Sequence, residues 1–97
     1  MAKLYISEYP MIASYAAQAA QEPSIVEQTP VAIGGASVQS AAFAETTRMV
    51  RLHTDAICSV AFGADPTATA DSKRMSAGTT EYFVVAAGDK VAVITNT

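Results

Sequence analysis

Hydrophobic and polar residues alternate along several short segments of this chain, and the alternation predicts β-strands. Between residues 3 and 8, Leu4 and Ile6 share one side of an extended segment, and Tyr5 and Ser7 share the other. The same period recurs in 31–33, 38–44, 48–54, 57–62, 81–85 and 90–95. We therefore expect an all-β, single-domain antiparallel β-sandwich or jelly roll of about seven to eight short strands, with at most one short helix.

The alternation also predicts which side chains form the core. In the segment 48–54, Val50 and Leu52 point inward while Arg51 and His53 point outward. The same reasoning, applied along the chain, predicts one buried cluster that contains Val50, Leu52, Val60, Phe62, Phe83, Val85 and Ile94.

One segment, residues 11–21, leaves two interpretations open. Ile12, Tyr15 and Ala19 fall on one helical stripe, and Pro10 and Pro23 bound a helix of two turns or slightly more. The alternative is a strand at 11–14 followed by a surface loop. We favour the strand and loop because the neighbouring segments are strands.

Three connections between the predicted strands can be recognised, of which two have the composition of turns. Gly34 and Gly35 are typical of a hairpin turn with positive φ. The four residues 86–89 are suited to a hairpin between the strands that flank them. Residues 63–76 form the longest stretch without a clear period, and loops of this length are often contact surfaces.

Composition supports a small β domain and argues against a nucleic-acid partner. The 97 residues include 20 alanines but only two leucines, whereas valine, isoleucine and threonine together number 25. β-branched residues pack well on pleated sheets. The net charge is −3, and the chain lacks the clustered Lys and Arg that neutralise phosphates.

No combination of residues predicts catalysis or a bound metal. His53 and Cys58 lie five residues apart, an odd separation that places them on opposite faces of a continuous strand. We expect Cys58 to be a buried, unreactive thiol. Asp65, Thr67 and Thr69 alternate in a loop, but they lack the spacing of a calcium loop and are better suited to capping turns. We expect neither an enzyme nor a cofactor.

The sequence also predicts a protein without a membrane-spanning segment. No apolar run approaches the length of a membrane span, and Glu8 and Pro10 interrupt the beginning of the chain where a signal peptide would be apolar. The expected compartment is the cytoplasm, or a particle that assembles there.

Two predicted strands are apolar on both faces. In the last strand, Val91 and Val93 face one way while Ala92 and Ile94 face the other. Either loops of the same chain or a partner subunit would cover the second face, and we favour a partner. The first strand has the same character, and residues 1–10 are a candidate extended arm or edge strand.

The second half of the chain resembles a group of small proteins found in tailed bacteriophages and prophages. The resemblance is carried by Thr47-Arg48-Met49-Val50-Arg51-Leu52, by the segments 55–63 and 65–70, and by 81–85 and 88–94. It implies a virion structural component with a β-sandwich or jelly-roll fold, namely a head decoration (cement) protein. It transfers no catalytic residues.

From this resemblance we expect a protein that binds the major capsid protein on the capsid surface, self-associates as a dimer or trimer, and assembles in the host cytoplasm. The alternative is a tail or tail-fibre accessory protein that binds a receptor or a carbohydrate through the 63–76 loop and exposed tyrosines. A strand-like N-terminal segment can add to a neighbour's sheet edge, and the loop is the second candidate surface. The predicted partner-binding residues are Leu4, Tyr5, Ile6, Tyr9, Asp65, Thr67 and Thr69.

Overall fold

A computed structural model describes residues 2–10 and 22–97, and these residues contain nine β-strands and no helix. The all-β prediction is therefore confirmed, and the alternatives for residues 11–21 lie outside the described residues. The strands are β1 (Lys3–Tyr9), β2 (Val26–Glu27), β3 (Val31–Ala32), β4 (Val38–Gln39), β5 (Met49–Thr54), β6 (Cys58–Gly63), β7 (Lys73–Met75), β8 (Thr80–Val84) and β9 (Lys90–Thr95).

The strands form two antiparallel sheets that pack as a sandwich. Sheet 1 has the order β2-β1-β5-β8. β2 pairs with the end of β1, and β3 pairs with the beginning of β1 on the same side. Sheet 2 has the order β4-β9-β6-β7. With β2 and β3 counted as one interrupted strand, two sheets of four strands result, as in a jelly roll. The strand order within the two sheets is that of a jelly roll, with one difference in connectivity. The position in sheet 1 that the last strand of the chain usually occupies is taken here by β1.

The core lies between the two sheets, because each sheet turns an apolar face inward. Leu4 and Leu52 of sheet 1 and Val93 of sheet 2 are completely buried. Ile33 and Phe43, which lie outside the strands, complete the cluster from the connections. Its full membership is Leu4, Ile6, Ile33, Phe43, Val50, Leu52, Cys58, Val60, Met75, Val91 and Val93.

The predicted core is confirmed for three of its seven residues, confirmed in part for three more, and wrong for one. Val50, Leu52 and Val60 are buried, and Phe62, Phe83 and Val85 are partly buried and pack against the cluster. Ile94 lies directly opposite Ser59 on the outer face of sheet 2, so it is half-buried and outside the core. The alternation in 90–95 places it there, on the side away from Val93.

A buried carboxyl group closes one end of the core. Glu8, which is 1% exposed, points inward from β1. Its Oε1 accepts hydrogen bonds from the Thr47 hydroxyl (2.6 Å) and the Ala44 N–H (2.8 Å). Its Oε2 accepts one from Gln28 Nε2 (2.7 Å). A buried polar group is stable only when it is hydrogen-bonded in this way, and here the bonds fix the connection between β4 and β5.

The predicted hairpins are wrong, since both connections cross between the sheets. Residues 86–89 join β8 of sheet 1 to β9 of sheet 2. Gly88, with φ of 81°, supplies the left-handed residue that this crossing needs. Gly34 and Gly35 similarly link β3 to β4, and neither has a positive φ.

Two predicted segments have different bounds in the structure. Only Val38–Gln39 of the predicted strand 38–44 forms, and the predicted loop 63–76 contains the strand Lys73–Met75.

The N-terminal segment is not an arm or an edge strand. β1 pairs with β5 along its full length on one side and with β2 and β3 on the other. Its inward side chains Leu4 and Ile6 belong to the core. The segment is therefore the second strand of sheet 1 rather than a free extension.

Candidate functional site

The outer face of sheet 1 carries a mixed aromatic and charged surface. Alternation turns every second side chain of β1, β5 and β8 away from the core, and the strand register aligns them in three rows. We call this surface the β1–β5–β8 face. Its rows are Tyr5–His53–Thr80, Ser7–Arg51–Tyr82 and Tyr9–Met49–Val84.

The first row is organised by His53. Its ring lies 6.2 Å from the Tyr5 ring, centroid to centroid, at an angle of 51°. Its Nδ1 lies 2.9 Å from the Thr80 hydroxyl oxygen, which is hydrogen-bond distance. These contacts span three strands and hold the Tyr5 ring in place, while 38% of the Tyr5 residue surface stays exposed. A pre-ordered tyrosine of this kind loses little side-chain entropy on binding a partner.

An open groove of about 420 Å³ lies beside this row. Glu27, on β2, forms one wall, and its two carboxyl oxygens accept hydrogen bonds from the hydroxyls of Ser7 (2.7 Å) and Ser24 (2.5 Å). The groove thus combines an aromatic ring with groups of both charges. Its lining residues are Tyr5, Ser7, Glu27, Arg51, His53 and Asp55.

The third row is buried at one end and open at the other. Tyr9 and Met49 are buried, whereas Val84 is 77% exposed. The Tyr9 hydroxyl donates a hydrogen bond to Glu22 Oε2 (2.8 Å). Burial, together with the carboxyl group of Glu22, raises the pKa of Tyr9 to about 12. The prediction that Tyr9 contacts a partner is therefore wrong for the chain in this structure.

The predicted partner-binding residues are divided among three places. Leu4 and Ile6 lie in the core, so they are unavailable to a partner and that prediction is wrong. Tyr5 lies exposed on the β1–β5–β8 face. The third group is Asp65, Thr67 and Thr69. These are exposed residues of the 64–72 loop, on the opposite side of the sandwich.

The 64–72 loop packs across the outer face of sheet 2. Gln39 Nε2, on β4, donates hydrogen bonds to Asp65 Oδ1 (2.7 Å) and to the Pro66 carbonyl (2.9 Å). Asn96 Nδ2 donates to the Ala70 carbonyl (3.1 Å) and to the hydroxyl of Ser59 on β6 (2.7 Å). The loop is thus attached beside β4 at one end and beside β6 at the other. Since β9 lies between these two strands, the loop crosses the outer side of β9.

This loop covers the second apolar face of the last strand. Ala92, on the outer side of β9, is completely buried, as is the neighbouring Ser59. Within the loop, Pro66 and Ala68 point inward and are buried while Thr67 points outward. The chain's own loop, rather than a partner, therefore accounts for the apolar outer side of β9, so the preference for a partner subunit there is wrong.

His53 and Cys58 are not brought together. His53 lies on the outer face of sheet 1, whereas Cys58 is fully buried on the inner face of sheet 2. Burial raises the pKa of the Cys58 thiol, and the thiol lies 3.5 Å from the Thr54 hydroxyl oxygen. The prediction of a buried thiol is confirmed. Across residues 2–10 and 22–97, no three His, Cys, Asp or Glu side chains are placed to hold a metal ion.

Several residues of the β1–β5–β8 face were absent from the predicted site. Alternation already placed Arg51 outward, but it gave no reason to group this residue with Tyr82, 31 positions later in the chain. Their proximity depends on the pairing of β5 with β8. The residues of the face or groove that the prediction missed are Ser7, Glu27, Met49, Arg51, His53, Asp55, Thr80, Tyr82 and Val84.

The comparisons with known proteins add no assignment. No protein-family model, curated protein or solved structure matches this chain. In the part of the chain that the structure describes, there is no helix of the length and apolarity needed to span a membrane.

Proposed function

We propose that this protein is a head decoration (cement) protein of a tailed phage, which binds the major capsid protein lattice and stabilises the head through its β1–β5–β8 face. The observation that carries the proposal is an asymmetry between the two sides of the sandwich. The chain's own loop covers sheet 2, whereas sheet 1 exposes Tyr5, Tyr82 and Val84 around Arg51.

The chemistry of the open face favours a protein partner. Tyrosine and arginine are enriched at protein interfaces, where a large ring or a planar guanidinium supplies contact area together with hydrogen bonding. Tyr82 is 49% exposed and lies opposite Arg51 in the strand register. The three strands that carry these groups are hydrogen-bonded to one another, so the surface is already ordered before it binds.

The resemblance of residues 47–94 to small phage proteins supports a virion partner. A capsid is a lattice of identical subunits, so a small protein with one open face can occupy many equivalent positions. The proposed location is the capsid surface of a particle that assembles in the host cytoplasm.

A binding experiment with phage particles tests the proposal. Particles of a phage that carries the gene, prepared from a deletion strain, would be mixed with the purified protein and sedimented. The expected result is saturable binding in proportion to the number of capsid subunits, together with greater resistance of the particles to heat. Arg51→Glu should weaken binding about tenfold or more, because a mismatched charge at an interface costs several kcal/mol.

Thr67→Glu is the matched control, since it introduces the same charged side chain on the opposite side of the sandwich. It should bind as the unmodified protein does. Loss of binding in Thr67→Glu with retention in Arg51→Glu would place the contact on the 64–72 loop instead. Binding of only a handful of copies per particle would contradict head decoration and indicate a tail component.

The groove supports a second candidate, a tail accessory protein that binds a carbohydrate or receptor. Sugar sites combine an aromatic ring with several hydrogen-bonding groups, and the groove places Tyr5 near Glu27 and Asp55. A glycan array probed with the purified protein would show selective binding that Tyr5→Ala abolishes. Absence of any glycan signal, alongside saturable capsid binding, would remove this candidate.

A further inference from the structure

The edge strand β8 presents unpaired backbone groups at the margin of sheet 1. Directly before β8, the Thr79 carbonyl accepts a hydrogen bond from the Thr54 N–H of β5 (3.2 Å). Directly after β8, the Val85 N–H donates one to the carbonyl of Arg48, the residue that precedes β5 (2.9 Å). Hydrogen-bonded positions alternate in an antiparallel pair. The backbone groups of Glu81 and Phe83, the odd-numbered residues of β8, therefore bond to β5. The residues whose N–H and C=O point away from the sheet are therefore Thr80, Tyr82 and Val84.

No other described segment pairs with this edge. Among residues 2–10 and 22–97, β8 has β5 as its only strand neighbour. Two of these three residues also carry exposed hydrophobic side chains, with Val84 77% and Tyr82 49% exposed. An exposed edge strand of this kind is a template for pairing with another chain.

Two of the other edges in the described part of the sandwich are protected in ways that β8 is not. β7, the neighbouring edge of sheet 2, has three residues, of which Lys73 and Arg74 are exposed charges. The opposite edge of sheet 1 is divided into two strands of two residues, with Pro30 between them. β8 has five residues and contains neither lysine nor proline, two of the usual devices against edge pairing.

The outward groups of β8 are complementary to a second copy of themselves. In an antiparallel pair related by a two-fold axis at Tyr82, this residue faces its own copy and Thr80 faces Val84 of the partner subunit. Three outward residues on each strand, each with one N–H to donate, then form about six backbone hydrogen bonds. A register shifted by two residues would pair fewer of these groups, so the centred register is favoured.

Charge complementarity supports the same register. On the inner side of the strand, Glu81 would face Phe83 of the partner subunit. Within each chain, the Lys73 ammonium lies 5.9 Å from the centre of the Phe83 ring, which places a positive charge beside the position of the incoming Glu81. The two-fold axis produces this Glu81–Lys73 contact twice.

We infer that this protein forms a two-fold dimer through antiparallel pairing of β8 with β8 of a second copy. The dimer joins two copies of sheet 1 into one continuous sheet and doubles the width of the β1–β5–β8 face. A dimer that presents two such faces to a lattice gains avidity from the second contact. The inference does not depend on the proposed function, because it rests on the edge of the sheet alone.

Sedimentation of the purified full chain over a range of concentrations tests the dimer. Five strand residues span about 17 Å, so the contact is small and we expect reversible association from the 10.1 kDa chain to twice that mass. Val84→Pro removes a backbone N–H that points away from β5 and would bond to the second copy. The variant should be a folded monomer, and circular dichroism verifies that it is folded.

Ala32→Pro is the matched control for this substitution. Ala32 lies on the opposite edge of sheet 1, and its N–H also points away from the ladder, because the next residue, Ile33, donates its N–H to the Ala2 carbonyl. This variant should dimerise normally. A monomeric unmodified chain at all concentrations, or a dimer that Ala32→Pro disrupts and Val84→Pro does not, would overturn the inference.

Charge reversal provides a test that introduces no proline. Lys73→Glu places like charges opposite Glu81 of the partner subunit and should weaken the dimer about tenfold or more. Glu81→Lys should have a similar effect, and combining the two substitutions should restore association. Three variants that all dimerise as the unmodified chain does would contradict the β8 register.

Discussion

The carboxyl group of Glu8 links two connections at one end of the sandwich. It accepts hydrogen bonds from three groups that belong to two different connections. Gln28, one of its partners, also exchanges hydrogen bonds of 3.2 Å with the backbone of Ala41. Removing the carboxyl group would leave several donors without a partner, and each unsatisfied buried group is costly.

We expect Glu8→Ala to lower the free energy of unfolding by about 3 kcal/mol, from the loss of three hydrogen bonds to buried or partly buried groups. Urea denaturation followed by circular dichroism measures this change. Glu45→Ala, an exposed acidic residue in the same connection, is the control and should change stability by about 0.5 kcal/mol or less. A loss below about 1 kcal/mol in Glu8→Ala would mean that water replaces the carboxyl group.

Tyr9 makes stability dependent on pH in the alkaline range. Its pKa in the folded protein, about 12, lies above the ordinary value of 10.0. Between these values the unfolded chain releases a proton that the folded protein retains. The contribution of this hydroxyl to stability is therefore complete below pH 10 and is lost as the pH rises to 12.

We accordingly expect the free energy of unfolding to fall between pH 10 and 12, and to fall less steeply in Tyr9→Phe. Urea denaturation at a series of pH values compares the two proteins. Tyr82→Phe removes the hydroxyl of an exposed tyrosine and should follow the unmodified profile. Parallel profiles for all three proteins would show that Tyr9 ionises equally in the folded and unfolded chains.

At the scale of elements, the 64–72 loop acts as a cover for sheet 2. Its inward residues Pro66 and Ala68 alternate with outward residues, although the loop forms no strand. Side-chain amides at its two ends, from Gln39 and Asn96, replace the backbone ladder of a regular strand. The loop is thus an ordered layer whose attachment depends on a few side chains.

We expect Asn96→Ala to detach one end of this loop and to cost about 1 kcal/mol of stability. Amide hydrogen exchange, read by mass spectrometry, should accelerate in residues 64–72 while the strands of sheet 1 remain protected. Thr67→Ala, which changes an outward side chain of the same loop, should leave the exchange unchanged. Equal exchange in Asn96→Ala and the unmodified protein would show that the Asn96 side chain is not needed to hold the loop.

At the scale of the whole molecule, the chain passes repeatedly from one sheet to the other. β5 lies in sheet 1, β6 and β7 in sheet 2, β8 in sheet 1 again, and β9 in sheet 2. Most neighbouring strands within a sheet are therefore distant in sequence, with β6 and β7 as an exception. β1, for example, pairs with β5 across 40 to 50 positions. Each sheet depends on both halves of the chain.

Deletion of residues 1–9 tests this dependence. Because β1 lies between β5 and the pair β2 and β3, we expect the shortened chain to lose cooperative unfolding in a thermal melt. Deletion of the exposed terminal residue Thr97 should leave the melt unchanged. A folded chain without residues 1–9 would mean that sheet 1 can close without its second strand, and would restore the interpretation of this segment as an arm.

The sequence by itself determined the local features of the structure. Alternation identified seven of the nine strands, all except β2 and β7. It also placed Val50 and Leu52 correctly on the inner face, because burial of one face imposes a period of two wherever a strand forms. Abundant β-branched residues together with scarce leucine predicted the all-β class. The burial of Cys58 was expected because free cysteine is among the residue types most often buried.

Only the tertiary structure decided which strands are neighbours, and hence the candidate surface. A four-residue connection such as 86–89 can form a hairpin or cross between sheets, and alternation is the same in either case. The register that sets Arg51 beside Tyr82, the burial of β1 between its neighbours, and the loop that covers Ala92 all depend on contacts between distant segments. Such contacts are selected by the packing of the complete core, which no local pattern contains.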